Sequence, residues 1–126
     1  MITGHEGRIV KRLGDGLMAT FLSAEEAIEA ALDAQDAVRG ILVDGYSPRM
    51  RDGVHWGRPR KLGGDYLGVD VNVAARVTAA AKAGHVLVSD ALLAHLNGRG
   101  VQLGRARRLR APGTPSGLRV AEVSRS

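Results

Sequence analysis

Four aromatic side chains (Phe21, Tyr46, Trp56 and Tyr66) are all that 126 residues provide, and this scarcity limits what the chain can fold into. Aromatic rings usually supply a large part of a small domain's buried area, so the core has to be built from Ala, Val and Leu. The apolar content of 44% is ordinary for a globular protein, and this length suits one core but not two. Residues 1–126 are therefore expected to form a single domain. No cysteine is present, which excludes disulfides and thiolate metal sites. No apolar run reaches the length of a membrane span, and the first residues lack the basic-then-apolar pattern of a signal peptide. The expected location is the cytoplasm.

The net charge of +5 raises the question of nucleic acid. The positive charge gathers at Arg105, Arg107, Arg108 and Arg110, with more at Arg58, Arg60 and Lys61. No aromatic residues interleave with the late arginines to stack bases, and no zinc-binding, helix-turn-helix or RNA-binding pattern accompanies them. The expected reading is a solvated strand face with attraction for a polyphosphate ligand, and a nucleic-acid partner is not expected.

Apolar and turn-forming residues predict the order β-β-α-β-α-β-α-β-β. Residues 8–13 alternate as a strand, Gly14-Asp15-Gly16 forms a tight turn and Leu17 to Phe21 returns as a hairpin. Ser23, followed three residues later by Glu26, starts a helix with a capping box. Ala27, Ile28, Ala31, Leu32, Gln35 and Val38 give that helix its stripe, and Gly40 ends it. Arg49 to Trp56 reads as a third strand, and 57–64 as a loop or ribbon. Val69, Val73 and Val77 define one face of a second helix, which Gly84 closes. A short strand at 86–89 and a short helix at 90–96 follow. Val101 to Leu109 and Leu118 to Val123 then make an antiparallel pair around Pro112-Gly113-Thr114-Pro115. The expected fold class is α/β (α+β), with helices packed on a mainly antiparallel sheet.

Four strings carry the functional signal: Lys11-Arg12-Leu13-Gly14-Asp15-Gly16-Leu17-Met18-Ala19-Thr20-Phe21, Gly53-Val54-His55-Trp56-Gly57, Gly63-Gly64-Asp65-Tyr66-Leu67-Gly68 with Asn72 and Arg76, and Gly84-His85-Val86-Leu87-Val88-Ser89. In this order, over nearly the whole chain, they resemble the class III adenylyl/guanylyl cyclase catalytic domain. The resemblance implies a ferredoxin-like nucleotide cyclase sandwich that turns ATP into cyclic AMP and pyrophosphate. It also implies Mg2+ or Mn2+ at a two-ion site, and a homodimer or a heterodimer with another cyclase domain, its active site lying between subunits.

On this resemblance Lys11 and Asp65 select adenine, Asp15 is the second metal ligand and Asn72 with Arg76 form the transition-state pair. Arg110 falls near the place where some members hold the terminal phosphates. The chemistry agrees. An ammonium donates to adenine N1 and a carboxylate accepts from the N6 amine, whereas guanine presents a carbonyl to that carboxylate. Asn72 and Arg76, at i and i+4, share a helix face. There an amide can hold the ribose, and a guanidinium can offset charge on the α-phosphoryl oxygens. Asp15 offers the hard oxygen that such ions take. His55 has no second ligand at suitable spacing and is expected to pack or hydrogen-bond.

The resemblance also implies a strand bearing the first metal aspartate, ahead of the position of Met1, so the first strand is expected to be missing from these residues. Chains of these residues alone are then expected to be weak or inactive, and the alternative is a non-catalytic ATP-binding or regulatory partner of an intact cyclase. Asp52 stands just before Gly53, where an apolar residue is expected, and a carboxylate buried there unpaired would be costly. It is expected to face the place of the first strand and to be available as a substitute metal ligand.

Overall fold

The computed structural model describes residues 8–13, 16–20, 23–41, 44–45, 49–57, 60–62, 65–67, 69–96 and 100–125, with the strands at 8–13, 16–20, 60–62 and 65–67 described by backbone alone. Strands β1 (Arg8–Leu13) and β2 (Gly16–Thr20) pair as the expected antiparallel hairpin, with one irregularity in register between Ile9 and Lys11. Helix α1 (Ala24–Arg39) begins where the sequence places it, the Glu26 N–H donating to Ser23 Oγ at 3.1 Å. Gly40 ends it in a right-handed conformation (φ −79°), so the helix stops without the left-handed residue that glycine often supplies.

The main sheet runs β3 (Asp52–Val54), β6 (Val86–Ser89), β9 (Arg119–Arg125) and β7 (Val101–Leu103), with β8 (Arg107–Arg108) also on β9. β3 lies parallel to β6 and the other pairs are antiparallel, so the sheet is mixed. Only three of the residues expected in the third strand form it, because pairing with β6 runs from Asp52–Val86 to Val54–Val88 and no further. The expected strand 101–109 divides into β7 and β8. Its register on β9 slips by one residue between Leu103 and Arg107, the signature of a bulge. The undecided segment 57–64 contains one arm of a ribbon, β4 (Arg60–Leu62), paired antiparallel with β5 (Asp65–Leu67).

Two apolar layers hold helices to the sheet. Alternation along β6 turns Val86 and Val88 toward Ala24, Ile28 and Leu32 of α1. Leu87 turns the other way, to Val73, Val77 and Ala81 on and just after α2 (Val69–Ala80). Every residue of β6 is buried, as expected of a strand covered on both faces. The core is built from Ala, Val, Leu and Ile, with Trp56 packed at its margin. The stripe on α2 sits one turn later than the sequence suggests: Val73 and Val77 are buried, but Val69 is 63% exposed. The first turn of α2 extends past the apolar surface, and Asp70, not Val69, makes its connection to the sheet.

Gly53 sets how close α2 comes to β3. A Cβ at that position would overlap the backbone N and Oγ1 of Thr78, so any side chain would push the helix away. α3 (Asp90–Leu93) is shorter than expected and is capped by Ser89, whose Oγ accepts from the Leu92 N–H at 3.3 Å.

Candidate active site

α2 carries the two residues on which the sequence reading depends most. Asn72 is half-buried, and its Nδ2 donates to the Pro112 carbonyl at 3.4 Å, a long hydrogen bond. Gly113 follows in a left-handed conformation (φ +78°), and a side chain there would run into the Asn72 amide. Arg76, one turn further along the same helix face, is exposed.

Arg110 lies in the segment that reaches Asn72. Leu109 packs beside Val73 and Val77, and its N–H donates to the Leu118 carbonyl at 2.9 Å. The turn that follows is closed by Thr114, whose Oγ1 donates to the Ala111 carbonyl at 2.6 Å. The fold therefore lays the segment that follows Arg110 against α2 at Asn72, one turn before Arg76. Arg76 and Arg110 have no acidic partner among the described residues, which leaves both guanidinium groups available to an anion.

Lys11 stands in β1 opposite Met18, and Asp65 opens β5 opposite Leu62. β1 and β5 touch within one chain, and β5 also touches α2, so the backbone brings the strands of both residues to the same neighbourhood. Asp15 lies outside the described residues. Among the described residues, no three His, Asp or Glu side chains gather closely enough to hold a metal ion.

Asp52 differs from expectation. Its Oδ2 accepts from Gln35 Nε2 of α1 at 3.0 Å, and the same amide nitrogen donates to the Met50 carbonyl at 2.8 Å. Burial pushes the Asp52 carboxyl up to about 6, with the Gln35 hydrogen bond opposing the rise. Its engagement with α1 argues against service as a substitute metal ligand. Gln35 is itself buried, so the pair joins α1 to the start of β3.

His55 hydrogen-bonds at both ring nitrogens. Nδ1 lies 2.6 Å from Ser89 Oγ, and Nε2 lies 2.9 Å from Asp70 Oδ1. Asp70 accepts, so Nε2 carries the proton, Nδ1 takes the Ser89 hydroxyl and Ser89 Oγ still receives the Leu92 N–H. The order Ser-His-Asp resembles a hydrolase triad, but Ser89 is 0% exposed and no carbonyl substrate can reach it. The network is structural. Sequence reading placed His55 as a packing or hydrogen-bonding residue and missed Asp70 and Ser89, which lie 15 and 34 positions away.

A cleft of about 660 Å³ opens at the other end of the sheet, among Gln35, Arg39, Arg49, His85 and Arg125. None of the site residues expected from sequence lines it. Exposed Arg76 and the amide of Asn72 lie instead on α2.

No family model matches the chain. It is 39% identical over 98 residues to a Rhizobium meliloti protein named as a candidate adenylate cyclase, an alignment covering 75% of this chain and 17% of that protein. The chain thus spans less than a fifth of that relative's length. Among solved structures, the adenylate/guanylate cyclase/hydrolase from Silicibacter pomeroyi is 28% identical, with a TM-score of 0.86 over 97% of this chain and 75% of that one. The guanylate cyclase domain of RhGC from Catenaria anguillulae, solved in complex with GTP, shares the fold at 21% identity, with a TM-score of 0.79 over 98% of this chain and 75% of its own. The homologues are mostly bacterial. A mixed sheet with helices packed on it, and these likenesses in both sequence and fold, lead to one conclusion: the chain belongs to the class III adenylyl/guanylyl cyclase catalytic domain family.

Proposed function

We propose that this domain works in the cytoplasm as part of a two-chain site that converts ATP to cyclic AMP and pyrophosphate. The observation that supports the reading is α2 itself, which carries Asn72 and exposed Arg76 on one face, with Asn72 against the Pro112 carbonyl two residues after Arg110. In this reading Lys11 donates to adenine N1 and Asp65 accepts from the N6 amine, which selects ATP over GTP. Asn72 holds the ribose so that its 3′-oxygen lies in line with the α-phosphorus. That oxygen forms the new bond as the bond to pyrophosphate breaks. Arg76 offsets the charge gathering on the α-phosphoryl oxygens, a contribution on the order of several kcal/mol. Arg110 meets the terminal phosphates.

The family uses divalent metals, and Mg2+ or Mn2+ would supply activation of the 3′-hydroxyl and neutralisation of phosphate charge. Asp15 is the residue suited to hold one ion. In this reading a partner domain contributes metal carboxylates to the shared site, so activity depends on pairing. The test is cyclic AMP formation from ATP with Mn2+, for the chain alone and mixed with a complete cyclase domain of a relative. Little activity alone and a clear gain on mixing are expected. ATP binding that Asp65→Ala weakens, with no gain on mixing, would replace catalysis by a non-catalytic ATP-binding or regulatory role. Absence of both overturns the nucleotide reading.

A further inference from the structure

Asp70 and Asn72 lie two residues apart on α2, so their side chains leave the helix roughly 200° apart. Each is tethered. Asp70 is tied by His55 Nε2 at 2.9 Å, and the ring is held from its other nitrogen by Ser89 Oγ at 2.6 Å. Ser89 is wholly buried where β6 passes into α3, and its hydroxyl oxygen also accepts from the Leu92 N–H. A Cβ on Gly57 would overlap the Asp70 carboxylate, so the strand-to-loop backbone after β3 closes around that group. On the other flank, Asn72 meets the Pro112 carbonyl and crowds Gly113.

A helix lying on an apolar surface through Val73 and Val77 can still roll about its axis, because burial is non-directional. Hydrogen bonds on opposite flanks prevent that roll. We propose that the chain Ser89–His55–Asp70 is a positioning device that fixes the rotation of α2 and thereby aims Asn72 and Arg76. His55 and Asp70 touch no reacting atom and act through the helix. Arg76 shares the Asn72 face, so a roll that displaces one displaces the other. A misplacement of about 1 Å is enough to cost roughly 100-fold in rate. The inference rests on the catalytic reading of Asn72 and Arg76.

The test uses two His55 variants of similar size. Glutamine reaches about as far as Nε2 and keeps the bond to Asp70, whereas asparagine reaches about as far as Nδ1 and keeps only Ser89. Both are mixed with a complete cyclase domain and assayed for kcat and KM with ATP, while hydrogen exchange is followed at the amides of residues 73–77. His55→Asn is expected to lower kcat about tenfold or more with KM within about threefold, and to speed exchange. His55→Gln is expected to restore most of both, and Asp70→Ala to behave as His55→Asn. Equal losses in the two His55 variants, or wild-type kcat in both, would overturn the proposal. If Asn72→Ala and Arg76→Ala leave cyclic AMP formation intact, the catalytic reading falls instead. The exchange difference between His55→Asn and His55→Gln then decides the positioning claim, its presence upholding it and its absence ending it.

Discussion

The two long helices are fastened to the same sheet by different means. α1 is tied at its surface by Arg125, which bonds Glu29 at 3.3 Å, Asp36 at 3.1 Å and also Asp33. These side chains are each one-third to one-half exposed, so water and salt screen the pairs and each contributes little. Among the described residues, α2 is held by the bond of Asp70 to His55, whose side chain is 8% exposed, by Asn72 on the Pro112 carbonyl and by the contact of Gly53 with Thr78. The expected role of each helix explains the contrast. A helix that only covers a sheet face tolerates small shifts, but one that carries a ribose ligand and a phosphate cation does not. α1 adds screened surface pairs to one buried anchor at Gln35, whereas the ties described for α2 lie in its first turn and against Gly53.

The largest effect should come from closing the space at Gly53. Gly53→Val sets a branched side chain against helix backbone that cannot yield, and should cost about 3 kcal/mol in urea unfolding. A cost below about 1 kcal/mol would mean that α2 is not held closely at Gly53. His55→Ala removes two part-buried hydrogen bonds and leaves a void, and should cost about 2 kcal/mol by the same measurement.

Asp52 belongs to the buried side of the α1 attachment and gives a pH signature. Its folded pKa of about 6 lies above the ordinary 3.8, so the charged form is disfavoured by folding. The stability associated with the protonated form is complete below about pH 4 and is lost as pH rises through about 6. Asp52→Asn keeps an acceptor for Gln35 and has no charge. It should be more stable than the parent by about 1 to 2 kcal/mol at pH 7, with the gap closing below pH 4. A gap independent of pH would remove the buried-carboxylate account. The smallest effect is expected at Arg125→Ala, at most about 1 kcal/mol and shrinking further in high salt.

Legibility from sequence followed the range of the interactions. The capping box at Ser23 and the hairpin were readable because each depends on neighbours within a few positions. The shared face of Asn72 and Arg76 followed from helical spacing alone. Segment 101–109 looked like one strand because the extra residue that splits it is defined only by its partner β9. The Asp70 and Ser89 partners of His55, and the Gln35 partner of Asp52, come from elements brought together by the topology. No local pattern marks them. The Gly53 and Gly57 motif positions had no physical reason until α2 was seen against them.

The central claim is that this chain brings Asn72 and Arg76 to a site shared with a second cyclase domain. The direct measurement mixes it with a complete domain that keeps its metal carboxylates but has lost its own matching amide and guanidinium side chains. Cyclic AMP should form with the wild-type chain and fall by about 1,000-fold with Arg76→Ala. Equal cyclic AMP output from both mixtures, or none from either, would contradict the account.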